Sequence, residues 1–426
     1  MNPKTADIIA AADALYDEGV EMICDLVRFG STLGNEAEAQ NHVAGLFEEL
    51  GLTVDKFEID IDAIKDQPGF SPVDWSYEGK ENVVGIHRPR GNTGRSLIFN
   101  GHIDVVPTGP QDMWTDPPFE PVIRDGRLYG RGSGDMKAGM VSFILAFKTL
   151  RSLGLQPAAP VYLQSVVEEE CTGNGALACL ARGYSADAAV IPEPFEQSLM
   201  TAQFGVMWFR VHVRGKPAHV LDTSAGINAI EAAFELVGAL KKLEARWNEE
   251  DVRHAGYIGD KHPVNFNLGV IRGGEWASSV PTECTFHMRV GFFPGVKPAA
   301  VRKKIEETIA HAAQANPGMK ESPPRVVFVG FQAEGCTIDP NEEMMLALAD
   351  AHERVMGEAP ALRATTATTD ARFFNLYGNT PATCYGPEAS AIHGIDESVS
   401  LESVKQVTRV LALFLAEWCG TEPITL

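Results

Sequence analysis

The chain has 426 residues, which is too long for one ordinary domain and suits two or three. Hydrophobic residues make up 45% of it, so the sequence can build a sizeable core and is not that of a disordered protein. Its formal net charge of -21 at pH 7 argues against nucleic acid and anionic membranes as partners, because both would repel it. An anionic small molecule stays compatible with this charge, since a local cationic pocket can lie in an acidic protein.

The N-terminus and the cysteines indicate where the protein works. The first residues are typical of an acidic amphipathic helix and lack the basic start and apolar stretch of a signal peptide. No apolar run is long enough to span a membrane. The 7 cysteines never form a CxxC pair, which favours reduced thiols over disulfides or a thiolate zinc site. We therefore expect a cytoplasmic protein.

The first part of the chain alternates predicted helices and strands. Apolar periodicity predicts helices at 5–30, 35–51, 137–153 and 174–183, and strands at 82–87, 96–103, 160–167 and 187–192. This alternation is typical of an α/β fold with a largely parallel sheet.

The middle of the chain follows another pattern. It predicts a strand at 206–214, a helix at 224–246, strands at 264–271 and 282–290, and a helix at 298–314, which suits a small α+β sandwich. The α/β pattern then returns, with a helix at 341–356, a strand near 380–385 and a helix at 401–419. We predict one domain from residues 1–202 and 331–426, with residues 203–330 inserted as a second.

Five short segments place acids and histidines at predicted strand ends or in loops. Their candidate residues are His102 and Asp104, Asp135, the triplet Glu168, Glu169 and Glu170, Glu193, and His393. Ligands of open α/β sheets gather at the carboxyl ends of strands. Asp104 shares a strand face with His102 and can accept the second N–H of its imidazole.

Each segment alone has a more ordinary explanation. A histidine near an aspartate is usually a satisfied core or surface pair, a run of glutamates is usually a solvated face, and clustered glycines usually mark a turn. The ordered set of five favours a metal centre instead. Histidine and carboxylate ligands without thiolates suit Zn²⁺, and also Co²⁺ or Mn²⁺.

At these residues the sequence resembles the metallohydrolase family of acetylornithine deacetylase, succinyl-diaminopimelate desuccinylase, aminoacylase and glutamate carboxypeptidase. The family pattern is HxDxVP, GRGxxDMK, an acidic triplet before glycines, an acid after a strand and a late histidine. All are present in order between about residues 80 and 400. The resemblance implies an α/β catalytic domain with a mixed, largely parallel sheet flanked by helices, and an inserted α+β lid domain that forms a homodimer.

The resemblance also implies roles for individual residues. Two divalent cations, zinc first, would be held by His102, Asp135 and Glu193 on one side and by Asp135, Glu170 and His393 on the other. In the family a glycine stands five residues beyond the ligand acid, which makes Glu170 the ligand and Glu169 the general base. His219, in a GKPAH segment, matches a lid histidine that reaches the partner's oxyanion. A cis peptide bond between Asp135 and Met136 is implied as well.

The substrate-binding residues depart from the family pattern. Members that cleave N-acyl amino acids hold the substrate carboxylate with an Asn and an Arg of the lid. Here Ser278 and Ser279 stand where the Asn is expected, and Arg289 stands two residues early. A shift of two keeps the same strand face, so Arg289 remains a candidate. Arg372 is a second one, and a structural ion pair is the alternative for either arginine.

The leading hypothesis is an amide hydrolase that uses metal-activated water to deacylate an N-acyl amino acid or a similar small N-acyl compound. Alternatives with the same chemistry are a dipeptidase or carboxypeptidase, and a deformylase of a non-amino-acid amine such as a pyrimidine. A non-catalytic metal-binding protein is a remote alternative. A nucleotide-binding protein is disfavoured, because no GxGxxG or P-loop is present.

Overall fold

A computed structural model describes residues 3–424, so residues 1, 2, 425 and 426 of the predicted first domain lie outside the described residues. The helices are α1 Thr5–Asp13, α2 Tyr16–Arg28, α3 Ala37–Glu49, α4 Ile61–Ile64, α5 Ala138–Ser152, α6 Asn174–Ala181, α7 Ala229–Trp247, α8 Pro298–Ala315, α9 Pro317–Glu321, α10 Glu343–Met356, α11 Ala371–Tyr377 and α12 Leu401–Trp418. The strands are β1 Thr53–Glu58, β2 Glu81–His87, β3 Leu97–His102, β4 Val122–Arg124, β5 Arg127–Tyr129, β6 Leu155–Pro157, β7 Val161–Val166, β8 Ala188–Ile191, β9 Leu199–Gln203, β10 Gly205–Arg214, β11 Phe266–Gly273, β12 Glu283–Phe292, β13 Arg325–Ala333, β14 Cys336–Thr337, β15 Leu362–Thr365, β16 Ala382–Cys384, β17 Ala389–Ser390, β18 Ser398–Ser400 and β19 Thr421–Pro423.

The largest sheet has six strands in the order β1-β2-β7-β3-β8-β16. Strands β7, β3, β8 and β16 run parallel to one another, while β1 and β2 are antiparallel at one edge. Every residue of β3 is buried, as expected of a strand covered on both faces. The predicted α/β class with a mixed, largely parallel sheet is confirmed.

Helices cover this sheet and complete its core. Helix α5 is buried almost all round because it packs against α12, α2 and the sheet together. The predicted helix at 5–30 is two helices, α1 and α2. Both pack against α5, and α1 also packs against α12. Apolar periodicity continues through the break, which is why the sequence pattern did not reveal it.

A second sheet, of four antiparallel strands, has the order β11-β12-β10-β13. Helices α7 and α8 pack on one of its faces and share a buried apolar cluster with it. The predicted strand, helix, two strands and helix are present in that order, and β13 follows them as a further strand. Strands β13 and β1 were not predicted, and both lie at sheet edges, where partial exposure weakens the apolar pattern.

All seven cysteines are free thiols, as the sequence predicted. Between residues 3 and 424, the helices are too short or too polar for one to cross a bilayer.

Candidate metal centre

The parallel strands bring the predicted ligands to one edge of the large sheet. His102 ends β3, the Glu168–Glu170 triplet follows β7, and Glu193 follows β8. Asp135 lies in the turn before α5, and His393 lies in the loop between β17 and β18. Because the carboxyl ends of parallel strands meet at the same edge, residues far apart in sequence become neighbours.

Asp135 lies between the two histidines. Its Oδ1 is 3.1 Å from Nε2 of His102, and its Oδ2 is 3.3 Å from Nε2 of His393. His393 is also 3.0 Å from Oε2 of Glu170, and His102 is 3.7 Å from Oε1 of Glu193. One carboxylate therefore connects two His-carboxylate pairs.

Glu169 is buried within the same cluster. Its Oε1 has no hydrogen-bond donor among the described residues. Its carboxylate also lies within ligand distance of His102 and Glu193. Glu169 is thus available either as a proton acceptor or as a further ligand.

Burial and mutual contacts shift the pKa values of the acids and histidines in this cluster. Burial raises the pKa of Glu169 and of Glu193 well above their usual range. Burial would also raise the pKa of Asp135, but hydrogen bonds from His102 and His393 hold it well below its usual range. Burial opposes protonation of His393, yet its hydrogen bonds to Asp135 and Glu170 raise its pKa to about 11. The cluster therefore contains more acids than its two histidines can pair with, and burial favours the neutral forms of Glu169 and Glu193 unless other cations are bound.

These residues fit a divalent metal centre. Histidine nitrogens and carboxylate oxygens, without thiolates, are the donors that Zn²⁺, Co²⁺ and Mn²⁺ accept. Donor atoms of His102, Asp135 and Glu170 all lie within 4.8 Å of one another, as do those of His102, Glu169 and Glu193. The orphaned, buried oxygen of Glu169 and the excess of buried acids over histidines both favour bound cations.

Asp104 lies beside His102, but its carboxylate does not take the hydrogen bond predicted for it. The Nδ1 of His102 is 2.9 Å from the backbone oxygen of Asp104 and 3.7 Å from its carboxylate. The carboxylate instead accepts the backbone N–H groups of Glu169, at 3.2 Å, and of Glu170, at 3.1 Å. The predicted hydrogen bond from His102 to the Asp104 carboxylate is therefore wrong. Because β7 ends beside β3, the two backbone N–H groups lie closer to this carboxylate than the imidazole does.

Glu397 is a buried residue of this region that the sequence did not single out. It accepts the backbone N–H groups of Gly132, Gly134 and Asp135, and its Oε2 pairs with Arg131 at 2.5 Å. The loop of His393 thereby holds the turn of Asp135. Glu397 stands four residues after His393 in the sequence, but only its burial shows that it points inward.

The backbone is unusual at several points near the cluster. The peptide bond between Asp135 and Met136 is cis, which confirms the implied one. Glu168 and His393 have positive φ values of 65° and 60°. Left-handed backbone at residues other than glycine concentrates at functional sites, where the surroundings enforce it.

A cleft of about 450 Å³ opens over the cluster. Asp135, Glu169, Glu170, Glu193 and His393 line it, together with Thr366–Thr369, Asn267 and Arg289. Arg289 is therefore placed where a substrate would lie. Asn267 pairs with it on the neighbouring strand and was missed, because only the register of β11 and β12 reveals the pairing.

Two other predicted residues do not line this cleft. Arg372 is 1% exposed, and its guanidinium donates to the backbone oxygens of Thr369 and Thr172. We correct its predicted substrate-binding role to a structural one, because burial and these carbonyls leave it no access to a ligand. His219 is exposed, in the loop after β10, where its Nδ1 accepts the N–H of Leu221.

Comparisons with known proteins bear on this site. The model of the peptidase family M20/M25/M40 matches residues 98–417. The N-formyl-4-amino-5-aminomethyl-2-methylpyrimidine deformylase of Bacillus subtilis is 28% identical over 407 residues, covering 91% of this chain and 90% of that protein. A probable succinyl-diaminopimelate desuccinylase of Staphylococcus aureus is 28% identical over 292 residues, covering 64% of this chain and 67% of the relative.

Solved structures share the fold. The di-peptidase Dug1p of Saccharomyces cerevisiae superposes with a TM-score of 0.79 at 14% identity, over 98% of this chain and 99% of that one. Human carnosine dipeptidase 1 gives a TM-score of 0.74 at 16% identity, over 98% and 100%. These identities support the fold alone. The family match covers most of the chain and includes all five predicted ligand positions, and the protein accordingly belongs to the peptidase family M20/M25/M40 of metal-dependent hydrolases.

Proposed function

We propose that the protein hydrolyses the amide bond of a small N-acyl compound at a centre of two divalent cations. His102, Asp135 and Glu193 would hold one cation, and Asp135, Glu170 and His393 the other. Zinc is the first candidate, with cobalt or manganese as alternatives. The position of Asp135, with one carboxylate oxygen facing each histidine, carries this proposal.

When bound, the cations would polarise the amide carbonyl and bring the pKa of a water molecule close to neutrality. The chain's own residues supply the proton transfer and the positioning of the group that performs it. Glu169, with an oxygen that receives no hydrogen bond, takes a proton from the attacking water and passes it to the leaving nitrogen. Asp104 positions Glu169, because the Asp104 carboxylate accepts the backbone N–H groups of both Glu169 and Glu170.

Two substrate classes follow from different observations. Arg289 in the cleft favours a substrate with a carboxylate, such as an N-acyl amino acid. A match to the pyrimidine deformylases over most of the chain favours the formyl derivative of an amine that carries an aromatic ring. A panel of N-acetyl, N-succinyl and N-formyl compounds, with dipeptides included, separates the two classes.

We further propose that residues 203–330 form a lid and the contact surface of a homodimer, and that His219 donates a hydrogen bond to the oxyanion in the partner's cleft. His219 does not line the cleft of its own chain. Beside it, Leu221 is 90% exposed and Trp276 is 74% exposed, which is unusual for large apolar side chains. The free thiols fit the predicted cytoplasmic location.

The proposed chemistry is tested with Glu169→Gln. Because only the proton acceptor is lost, the variant should keep both cations by elemental analysis, while kcat falls by roughly 100-fold or more. Glu231→Gln, at the exposed start of α7, is the matched control. Full activity of the Glu169→Gln protein would refute the assignment, and loss of a cation would make Glu169 a ligand.

A further inference from the structure

A second cavity, of about 210 Å³, opens beside the cleft. Its wall includes Trp75, Trp208, Asn267, His287, Arg289 and Gly330. Asn267 and Arg289 line the cleft as well, so the two spaces meet at these side chains. The chemistry proposed above uses none of the other four residues.

The floor of this cavity is one face of the four-stranded sheet. Asn267, Arg289 and Trp208 are paired across β11, β12 and β10, and His287 pairs with Arg210 in the next row. Residues paired across antiparallel strands project from the same face. The opposite face carries buried apolar side chains under α7 and α8, so this row points away from them.

Trp208 is held in one position. Its ring packs edge-on against Phe331, with centroids 5.3 Å apart and an interplanar angle of 82°. The ring also lies directly over Gly330, where a Cβ would come 2.6 Å from it. Gly330 has a φ of +72°, which suits glycine. The indole thus has a fixed face on the cavity.

Trp75 forms another wall and is held from two directions. Its indole N–H donates to Oε1 of the buried Glu168 at 2.6 Å, next in sequence to Glu169. The adjacent Asp74 pairs with Arg210 of the sheet floor. Because both indoles are fixed before any ligand arrives, little side-chain entropy would be lost on binding.

The polar groups of the cavity wall determine which hydrogen-bonding groups and charges a ligand can carry at its edge. Asn267 offers an amide donor and an acceptor. Burial, and then the charges of Arg210 and Arg272, lower the pKa of His287, so its imidazole is neutral at neutral pH. Within the described part of the chain no carboxylate lines this cavity, which disfavours a cationic ligand.

We propose that this cavity binds a planar, uncharged, nitrogen-containing aromatic ring of the substrate, between Trp75 and Trp208 and with its edge toward Asn267 and His287. This inference rests on the proposed amide hydrolysis and names its substrate class. The ring lies beside Arg289, while the amide lies in the cleft over Glu169.

Three formamides test this subsite on the metal-loaded enzyme. N-formyl-3-(aminomethyl)pyridine and N-formylbenzylamine carry planar rings, and N-formylcyclohexylmethylamine carries a puckered ring of similar size. Trp75→Leu and Trp208→Leu should each raise KM for the planar pair by roughly 2- to 13-fold, the equivalent of one aromatic contact, and change KM for the cyclohexyl compound by less than about 2-fold. The pyridine should bind more tightly than benzene in the wild type, and Asn267→Ala should remove that advantage. Phe234→Leu, on the exposed side of α7, is the control.

Calorimetric titration of the Glu169→Gln protein with the same compounds measures binding without turnover. A planar-ring preference that either Leu variant removes supports the subsite, even if none of the formamides is hydrolysed by the wild type and the proposed function fails. Equal affinity for the planar and puckered rings, or a preference that survives in both Leu variants, would overturn it.

Discussion

Three consecutive glutamates show how hydrogen bonding differentiates identical side chains. Glu168 accepts hydrogen bonds from Trp75 and Tyr77 and pairs with Lys80 at 3.1 Å, so its charge is fully engaged. Glu169 has an oxygen without a donor, and Glu170 faces His393. The first is a structural anchor, while the other two face the cleft.

We expect Glu397 to contribute both to the stability of the protein and to its affinity for metal. Glu397→Gln removes the charge that pairs with the buried Arg131, and a broken buried pair costs about 3–5 kcal/mol of stability. Because Glu397 also holds the turn of Asp135, metal affinity should fall roughly 10- to 100-fold. Competition with a chromogenic chelator and thermal unfolding measure the two effects.

The control is Glu388→Gln, which breaks the exposed pair with Arg127 and should cost about 0–1 kcal/mol. Unchanged metal affinity in the Glu397→Gln protein would remove Glu397 from the support of the metal centre.

At the scale of elements, the site depends on how closely α5 approaches the end of β8. Gly139, in the first turn of α5, has no room for a side chain, because a Cβ there would overlap the backbone oxygen of Pro192. Pro192 immediately precedes Glu193, so the helix supports the strand end that carries a proposed ligand.

Two glycine substitutions in helices test this contact. Gly139→Ala should destabilise the protein by about 1–3 kcal/mol, because overpacking outweighs the better helix propensity. Gly238→Ala, in α7, meets open space and should stabilise by about 0.5–1 kcal/mol. Urea unfolding measures the change in the free energy of unfolding for both variants. Stabilisation of the Gly139→Ala protein would contradict the close approach of α5 to Pro192.

At the scale of the whole molecule, the proposed oxyanion donor and the proposed ligands lie on different sheets. His219 follows β10 of the sheet β11-β12-β10-β13, whereas His102, Glu170 and Glu193 stand at strand ends of the six-stranded sheet. A histidine supplied by a partner chain would make turnover depend on assembly and on closure over the cleft.

Subunit exchange tests this dependence. Mixing His219→Ala chains with Glu169→Gln chains should restore about one quarter of the wild-type activity, because half of the dimers then hold one complete site. Each variant exchanged with itself is the control. Exchange verified by mass spectrometry without recovered activity would show that His219 does not act across the dimer.

Much of the fold could be predicted from the sequence, because its signals are local. Residues 97–99 and 161–163 are short apolar runs of the kind that buried strands contain, and the helical period of 401–418 needs no partner to be recognised. The motifs around His102 and Glu193 likewise stand at predicted strand ends, and the motif around Asp135 stands directly before a predicted helix, so the ligand hypothesis needed only their order.

Tertiary structure decided what depends on contacts between distant segments. The Asp104 carboxylate binds backbone N–H groups 65 and 66 residues away, and Glu397 holds a turn 262 to 265 residues away. The pairing of Asn267 with Arg289 and the cavity between Trp75 and Trp208 depend on strand register and on a loop that crosses between sheets. The sequence determined which residues stand at strand ends, because that is set by local pattern. Their partners were decided by the folded chain, because hydrogen bonds and burial depend on distance in space.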